Sequence, residues 1–313
     1  MFGTKEIKEL REITGAGMLD CKKTLEETGG NVQEAVNLLR ERGLVKVAKK
    51  SGRIAAEGLL AMEISEDGKK AALVEVNSET DFVAKNEEFR SYVEKVAATV
   101  LAGEPADLEA LKALPLAGGE KSVEDSLNDM IARIGENMNL RRFQAEKMEG
   151  GYLYGYLHGN SLIAAVVGLK SEASKEELAD LGKDLCMQVA SMSPRYISRD
   201  YVDEGFIASE REVLLHQAQN ENAELEAQGK KGRPANIIEK MVEGRLQKQL
   251  QEACLLEQTF IKDSDLNVGK LVANREKELG KEIEVVTMVR YEVGEGLEKK
   301  SEDFAAEVAK QMQ

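Results

Sequence analysis

The first 43 residues place apolar side chains at helical spacing in three short runs punctuated by glycine. Ile7 and Leu10 share one face of the first run, which Thr4 can cap and which Gly15 and Gly17 break. The second covers residues 18–27 and turns Leu25 inward, with Gly29-Gly30 behind it. Asn31, followed three residues on by Glu34, has the form of a capping box for the third. Val32, Ala35, Val36 and Leu39 line its apolar face, and Gly43 closes it. Three such helices make a small bundle. Residues 46–58, carrying Lys49, Lys50 and Arg53, read as a solvated basic linker helix.

Beyond the linker the apolar period shifts toward that of strands. Residues 59–64 and 71–76 predict two strands around the turn Glu66-Asp67-Gly68. Asn86 is a good N-cap for a helix whose first turn holds Glu87 and Glu88, where the helix dipole favours negative charge. Phe89, Tyr92, Val93, Val96 and Val100 form its stripe. Residues 106–139 read as mostly helical. The same grammar then recurs. Residues 152–157 and 162–169 form a second hairpin around His158-Gly159-Asn160, and a helix follows with Leu178, Leu181, Leu185 and Val189 on one face. This is an internal repeat with slight residue identity between the copies.

Aligning the copies isolates one segment. Ser78-Glu79 matches Ser171-Glu172, 93 positions on, whereas residues 84–89 match 173–178, 89 positions on. The first copy therefore carries four extra residues, Thr80, Asp81, Phe82 and Val83, at its strand-to-helix junction. Loops mounted between rigid elements are frequent carriers of function. Two readings stand open on local grounds. Phe82 can be an apolar wedge for a partner's cavity, with Asp81 supplying a charge that competes for groups around a cation. Alternatively Phe82 plugs the core, and Asp81 or Thr80 caps a turn.

Residues 206–228 and 235–250 predict an antiparallel helical hairpin with the basic tip Gly229-Lys230-Lys231-Gly232-Arg233-Pro234. Residues 284–291 predict a strand, and Gly294 and Gly296 a turn. Ser301, Glu302 and Asp303 then open a final amphipathic helix with Phe304, Ala305, Val308 and Met312 on its apolar face.

Composition narrows the function. The 313 residues include 57 Asp and Glu against 43 Lys and Arg, a net charge of −14 that repels phosphate backbones and argues against nucleic-acid binding. The three cysteines are scattered without CxxC spacing, as befits a reducing cytoplasm and not a zinc site or disulfide framework. No secretion signal and no run of apolar residues long enough for a membrane span is visible. Only two histidines occur, His158 and His216, and neither sits in a metalloprotease or triad pattern. No Walker A loop is present. Carboxylates are plentiful, so a two-carboxylate hydrolase is not excluded by spacing alone.

Two long stretches resemble bacterial elongation factor Ts. The first is Leu10-Arg11-Glu12-Ile13-Thr14-Gly15-Ala16-Gly17-Met18-Leu19-Asp20-Cys21-Lys22-Lys23. The second is Glu75-Val76-Asn77-Ser78-Glu79-Thr80-Asp81-Phe82-Val83-Ala84-Lys85. Shorter pieces also resemble that family: Ile134-Gly135-Glu136-Asn137, Glu239-Lys240-Met241-Val242-Glu243-Gly244-Arg245 and Glu292-Val293-Gly294-Glu295-Gly296. The resemblance runs end to end and is loosest over residues 246–267.

The resemblance implies a guanine-nucleotide exchange factor for the GTPase elongation factor Tu, without covalent chemistry or a cofactor. It implies an α+β fold. Residues 1–53 would form a ubiquitin-associated-like three-helix bundle with its linker, and 54–148 a core subdomain carrying the extra loop. Residues 149–198 with 252–293 would form the second core subdomain, 199–251 a coiled-coil hairpin insertion and 294–313 a C-terminal helical module. Thr80, Asp81, Phe82 and Val83 match the segment that in this family is associated with dislocating magnesium from the GTPase. Met18 and Leu19 would lie near a first interface, and the final helix would add a second contact. An adaptor that uses the bundle to bind ubiquitin-like ligands is a competing reading, and it predicts that residues 80–83 are disposable.

Overall fold

The computed structural model describes residues 2–14, 16–50 and 52–298, with only the backbone described over 44–49. Gly15 and the expected final helix from residue 301 lie outside the described residues.

The bundle consists of α1 (Thr4–Thr14), α2 (Met18–Glu27) and α3 (Val32–Lys50). Leu10, Cys21, Leu25 and Ala35 are its buried centre, with Ile7, Val32, Val36 and Leu39 around them. Thr4 is the first helical residue and not the cap; Glu6 instead reaches back to accept the Gly3 N–H at 2.7 Å. Asn31 does cap α3, its Oδ1 accepting from the backbone N–H groups of Gln33 and Glu34. Gly43 does not end α3, which runs on to Lys50. One interior glycine weakens a helix by only ~1 kcal/mol. Here it faces the Ala132 methyl of a later helix, against which α3 packs.

The rest of the described chain is α+β. β1 (Glu57–Ile64), β2 (Lys70–Ser78), α4 (Asp81–Ala84), α5 (Glu87–Gly103), α6 (Leu108–Ala113), α7 (Val123–Ile134) and β3 (Met138–Lys147) come first. β4 (Gly151–His158), β5 (Ile163–Lys170), α8 (Lys175–Met192), α9 (Glu204–Ala227) and α10 (Ala235–Ala253) follow. β6 (Thr259–Phe260), β7 (Asp263–Asn267), α11 (Val268–Leu279) and β8 (Glu284–Glu292) complete it. The helical reading of 106–139 is corrected: helix ends at Ile134, and Met138 opens a strand. The ribbon β6–β7 and α11 are likewise elements that the periodicity does not predict.

Two three-stranded antiparallel sheets, β1-β2-β3 and β4-β5-β8, each add their last strand to the second. Period-two alternation sorts their residues into layers. Leu59, Ala61, Ala72, Val74 and Val76 face α5 and α7. Leu60, Ala71 and Leu73 face Leu153, Ala164 and Val166 of the other sheet. Ala165, Val167 and Leu169 face α8 and α11. The order of layers is helix, sheet, sheet, helix, so β2 and β5 are buried on both faces. The repeat extends to detail. β3 and β8 each bulge, against Glu75/Val76 and Gly168/Leu169 respectively, positions 93 residues apart.

The bulge in β3 has a consequence. Arg142 pairs with Glu75 and Leu140 with Val76, so Arg141 is the extra residue. A bulge re-aims side chains that would otherwise alternate, and both arginines reach the fully buried Glu75. Its carboxylate accepts from Arg141 Nη1 at 2.9 Å, Arg142 Nε at 2.6 Å, Asn77 Nδ2 at 3.0 Å and the Gly294 N–H at 2.8 Å. Burial pushes the Glu75 carboxyl up, but these donors outweigh it and hold the group below its ordinary range. Gly294 has φ +72°, and a Cβ there would lie 2.3 Å from the Ala56 carbonyl, so the turn after β8 accepts glycine alone.

Helices α9 and α10 form the predicted hairpin, closed by Leu214, Ala218, Val242, Leu246 and Leu250. Among the described residues no helix is long and apolar enough to cross a membrane.

Candidate functional site

Three of the four extra residues, Asp81, Phe82 and Val83, wind with Ala84 into the helical turn α4. Thr80 is the extended N-cap of α4, and Lys85 closes it by donating its N–H to the carbonyls of Asp81 and Phe82, both at 3.2 Å. Asn86 donates its N–H to the Val83 carbonyl at 2.9 Å, and its side chain then caps α5. The turn is thus fused to the start of a long helix.

Side chains divide sharply across the turn. Val83 is 4% exposed and sits in the core between the first sheet and α5. Phe82 is 78% exposed. The core-plug reading of Phe82 is therefore corrected; Val83 and Ala84 anchor the turn. Neither does Thr80 cap α4 through its side chain. Its hydroxyl donates to Glu136, 2.9 Å from Oε1 and 3.0 Å from Oε2, and its N–H donates to Glu136 Oε2 at 3.1 Å. The Ser78 hydroxyl donates to the Thr80 carbonyl at 2.9 Å.

Asp81 is exposed and paired with Lys85 at 2.6 Å, which holds its carboxyl below the ordinary range. The same ammonium lies 5.5 Å from the centre of the Phe82 ring. Charge on the turn is thus balanced locally, and its exposed tip is aromatic. Lys85, Glu136 and Glu79 stand in the stretches that resemble the family, but sequence reasoning gave them no role of their own. The i,i+4 spacing of Asp81 and Lys85 was a legible signal. Glu136 lies 56 residues from Thr80, beyond any local pattern.

Met18 and Leu19 open α2 and are 62% and 79% exposed, with Ile13 exposed near them in the chain. They form an apolar surface on a different element from Phe82. What links the two is the segment between α3 and β1: Arg53 pairs with Glu79 at 3.4 Å, and its carbonyl accepts from Asn137 Nδ2 at 2.8 Å. Among the described residues, no group of three or more His, Cys, Asp or Glu could hold a metal ion.

A twice-repeated α+β core with a helical bundle in front and a helical hairpin inserted defines the structural class. A family profile described as Elongation factor TS matches residues 79–295. Elongation factor Ts of Clostridioides difficile is 51% identical over 306 residues, covering 98% of this chain and 97% of the relative. That of Clostridium tetani is 46% identical over the full length of both. That of Clostridium perfringens is 46% identical over 99% of each. The chain belongs to the elongation factor Ts family of translation elongation factors.

Proposed function

We propose that the chain is a guanine-nucleotide exchange factor that binds elongation factor Tu, GDP-bound and nucleotide-free, and promotes GDP release during translation elongation in the cytoplasm. It makes and breaks no covalent bond. The observation that carries this reading is Phe82, a large aromatic held in solvent on a turn whose next two residues are buried. An exposed aromatic on a rigid mount is suited to entering a partner's cavity. Met18 and Leu19 supply a second contact through the bundle, and the final helix expected from residue 301 a third. In the proposed division into 1–53, 54–148, 149–198 with 252–293, 199–251 and 294–313, Phe82 belongs to the first half of the core, and the other two contacts lie outside the core.

The mechanism follows from the chemistry of the target. A P-loop GTPase holds GDP through loop amides, a lysine and a Mg²⁺ bridging phosphate and protein oxygens. Mg²⁺ requires near-ideal octahedral geometry. Inserting the Phe82 ring beside that site shifts the elements that hold the ion, and every ~1.4 kcal/mol of destabilisation weakens the nucleotide tenfold. The coupling is reciprocal, so rebinding of GTP expels the exchange factor. Stopped-flow release of labelled GDP from elongation factor Tu, with and without this chain, tests the reading. Strong acceleration supports it, and an unchanged release rate rejects it.

A further inference from the structure

We propose that Glu136 is the positioning residue for Phe82, acting through both hydrogen-bond donors of Thr80. The inference rests on the exchange-factor reading above and deepens it.

A helix of four residues has one turn, and a first turn is unfavourable on its own because several dihedrals are fixed for very few hydrogen bonds. α4 therefore needs tethers at both ends. The C-terminal tether is apolar: Val83 and Ala84 in the core. The N-terminal tether is Glu136. The Thr80 hydroxyl, which at an N-cap would ordinarily accept from the turn it precedes, is turned away from α4. It and the Thr80 N–H both donate to one carboxylate at 2.9–3.1 Å. Hydrogen bonds to an ionised acceptor are the stronger kind.

Glu136 is brought there by the end of α7. Gly135 takes the left-handed conformation, φ +92°, and directs the next two residues toward the β2–α4 junction. Asn137 continues the tether: its N–H donates to Glu79 Oε1 at 2.5 Å, and its side chain to the Arg53 carbonyl. Phe82 thus lies between a core anchor and an ionic anchor. The core anchor keeps the turn attached to the fold. The ionic anchor fixes which way its first half, and with it the ring, points. Replacing Glu136 leaves every apolar residue of the first core cluster in place.

The chain has no tryptophan, so Phe82→Trp places its only indole at the tip of the turn, where red-edge excitation selects it over the tyrosines. In the full chain, adding Glu136→Ala should lower the steady-state anisotropy of that indole, whereas Glu136→Gln, which keeps one oxygen acceptor, should restore most of it. Unchanged anisotropy in Glu136→Ala overturns the proposal, whatever the exchange assay gives.

In GDP release from elongation factor Tu, Glu136→Ala should slow the accelerated rate about tenfold, less than removing the ring does, because a misdirected ring keeps part of its contact. The double variant Glu136→Ala/Phe82→Ala should be no slower than Phe82→Ala alone. Additive losses overturn the proposal, because Glu136 would then act elsewhere. If Phe82→Ala itself has no effect, the exchange-factor role of the turn fails, and the anisotropy result still decides the tether. Should Glu136→Ala melt below assay temperature, Thr80→Val, which removes only the hydroxyl donor, carries the same comparisons.

Discussion

The β2–α5 and β5–α8 junctions leave equivalent strands and enter equivalent helices, yet they connect them differently. The second crosses in three residues, 171–173, and Ser174 and Glu177 close a full capping box at the start of α8. The first takes the seven residues 79–85, part of which wind into α4 with Phe82 in solvent. The short link satisfies its backbone and presents nothing. The long one holds out a side chain that the hydrophobic effect would otherwise bury. The strands repeat the contrast. Where the first copy has Glu75, the second has Gly168, and the bulge that delivers Arg141 to Glu75 delivers Val286 to an apolar cluster. One scaffold serves twice, and the polar and exposed departures from it concentrate in the first copy.

The largest effect is expected at Glu75, where the two copies differ most in burial of charge. Glu75→Ala leaves Arg141 and Arg142 facing each other without their shared carboxylate and should cost about 3–5 kcal/mol in urea unfolding. A loss below about 1 kcal/mol would show the cluster to be effectively solvated. The pH dependence has a definite sign. The folded-state pKa lies below the ordinary 4.5, so the contribution is fully present above that value and is lost as pH falls through the folded value. The parent's stability should therefore drop more steeply below about pH 4.5 than that of Glu75→Gln.

Next comes the turn itself. Phe82→Ala should slow nucleotide exchange by roughly 30–100-fold, about 2–3 kcal/mol of lost coupling, with no measurable change in melting. Its neighbour should do the reverse. Val83→Ala empties part of the core and should lower stability by roughly 1–3 kcal/mol. If Phe82→Ala loses stability instead, the exposed ring is part of the fold and the contrast between the junctions has no functional meaning.

Much of this was legible in the sequence because it is local. The two hairpins, the stripe from Phe89 to Val100 and the caps at Asn31 and Asn86 follow from alternation, helical spacing and side-chain oxygens near the helix start. The four extra residues came from aligning two copies of one chain. What stayed hidden is long-range. β3 reads Met-Asn-Leu-Arg-Arg-Phe-Gln-Ala-Glu-Lys, too polar for a strand until Glu75 is known to lie opposite its arginines. Gly43 signals a helix end, but packing of α3 on α7 overrides it. The direction of Phe82 was undecidable from its neighbours alone. It depends on which of two adjacent apolar residues the core accepts, and on Glu136, which sequence spacing cannot bring to Thr80.

The smallest expected effect lies at Lys85, which the alignment sets against Ser174, the cap of α8. Ser174 satisfies a helix start, a part that Asn86 plays in the first copy, whereas Lys85 pairs with Asp81 and reaches over the Phe82 ring. An exposed ion pair contributes about 0.2–1 kcal/mol at most, so Lys85→Ala should alter stability by no more than that. On exchange two effects oppose each other. Losing the ammonium removes a weak attraction that orders the ring, and it also frees the Asp81 charge to act on the partner. The net change should stay within about threefold, and it should shrink further at high salt, where exposed charges are screened. A loss of tenfold or more would mean that Lys85 contacts the partner directly. The working tip would then be a charged pair with an aromatic beside it, and the difference between the two junctions would be one of charge as much as of an exposed ring.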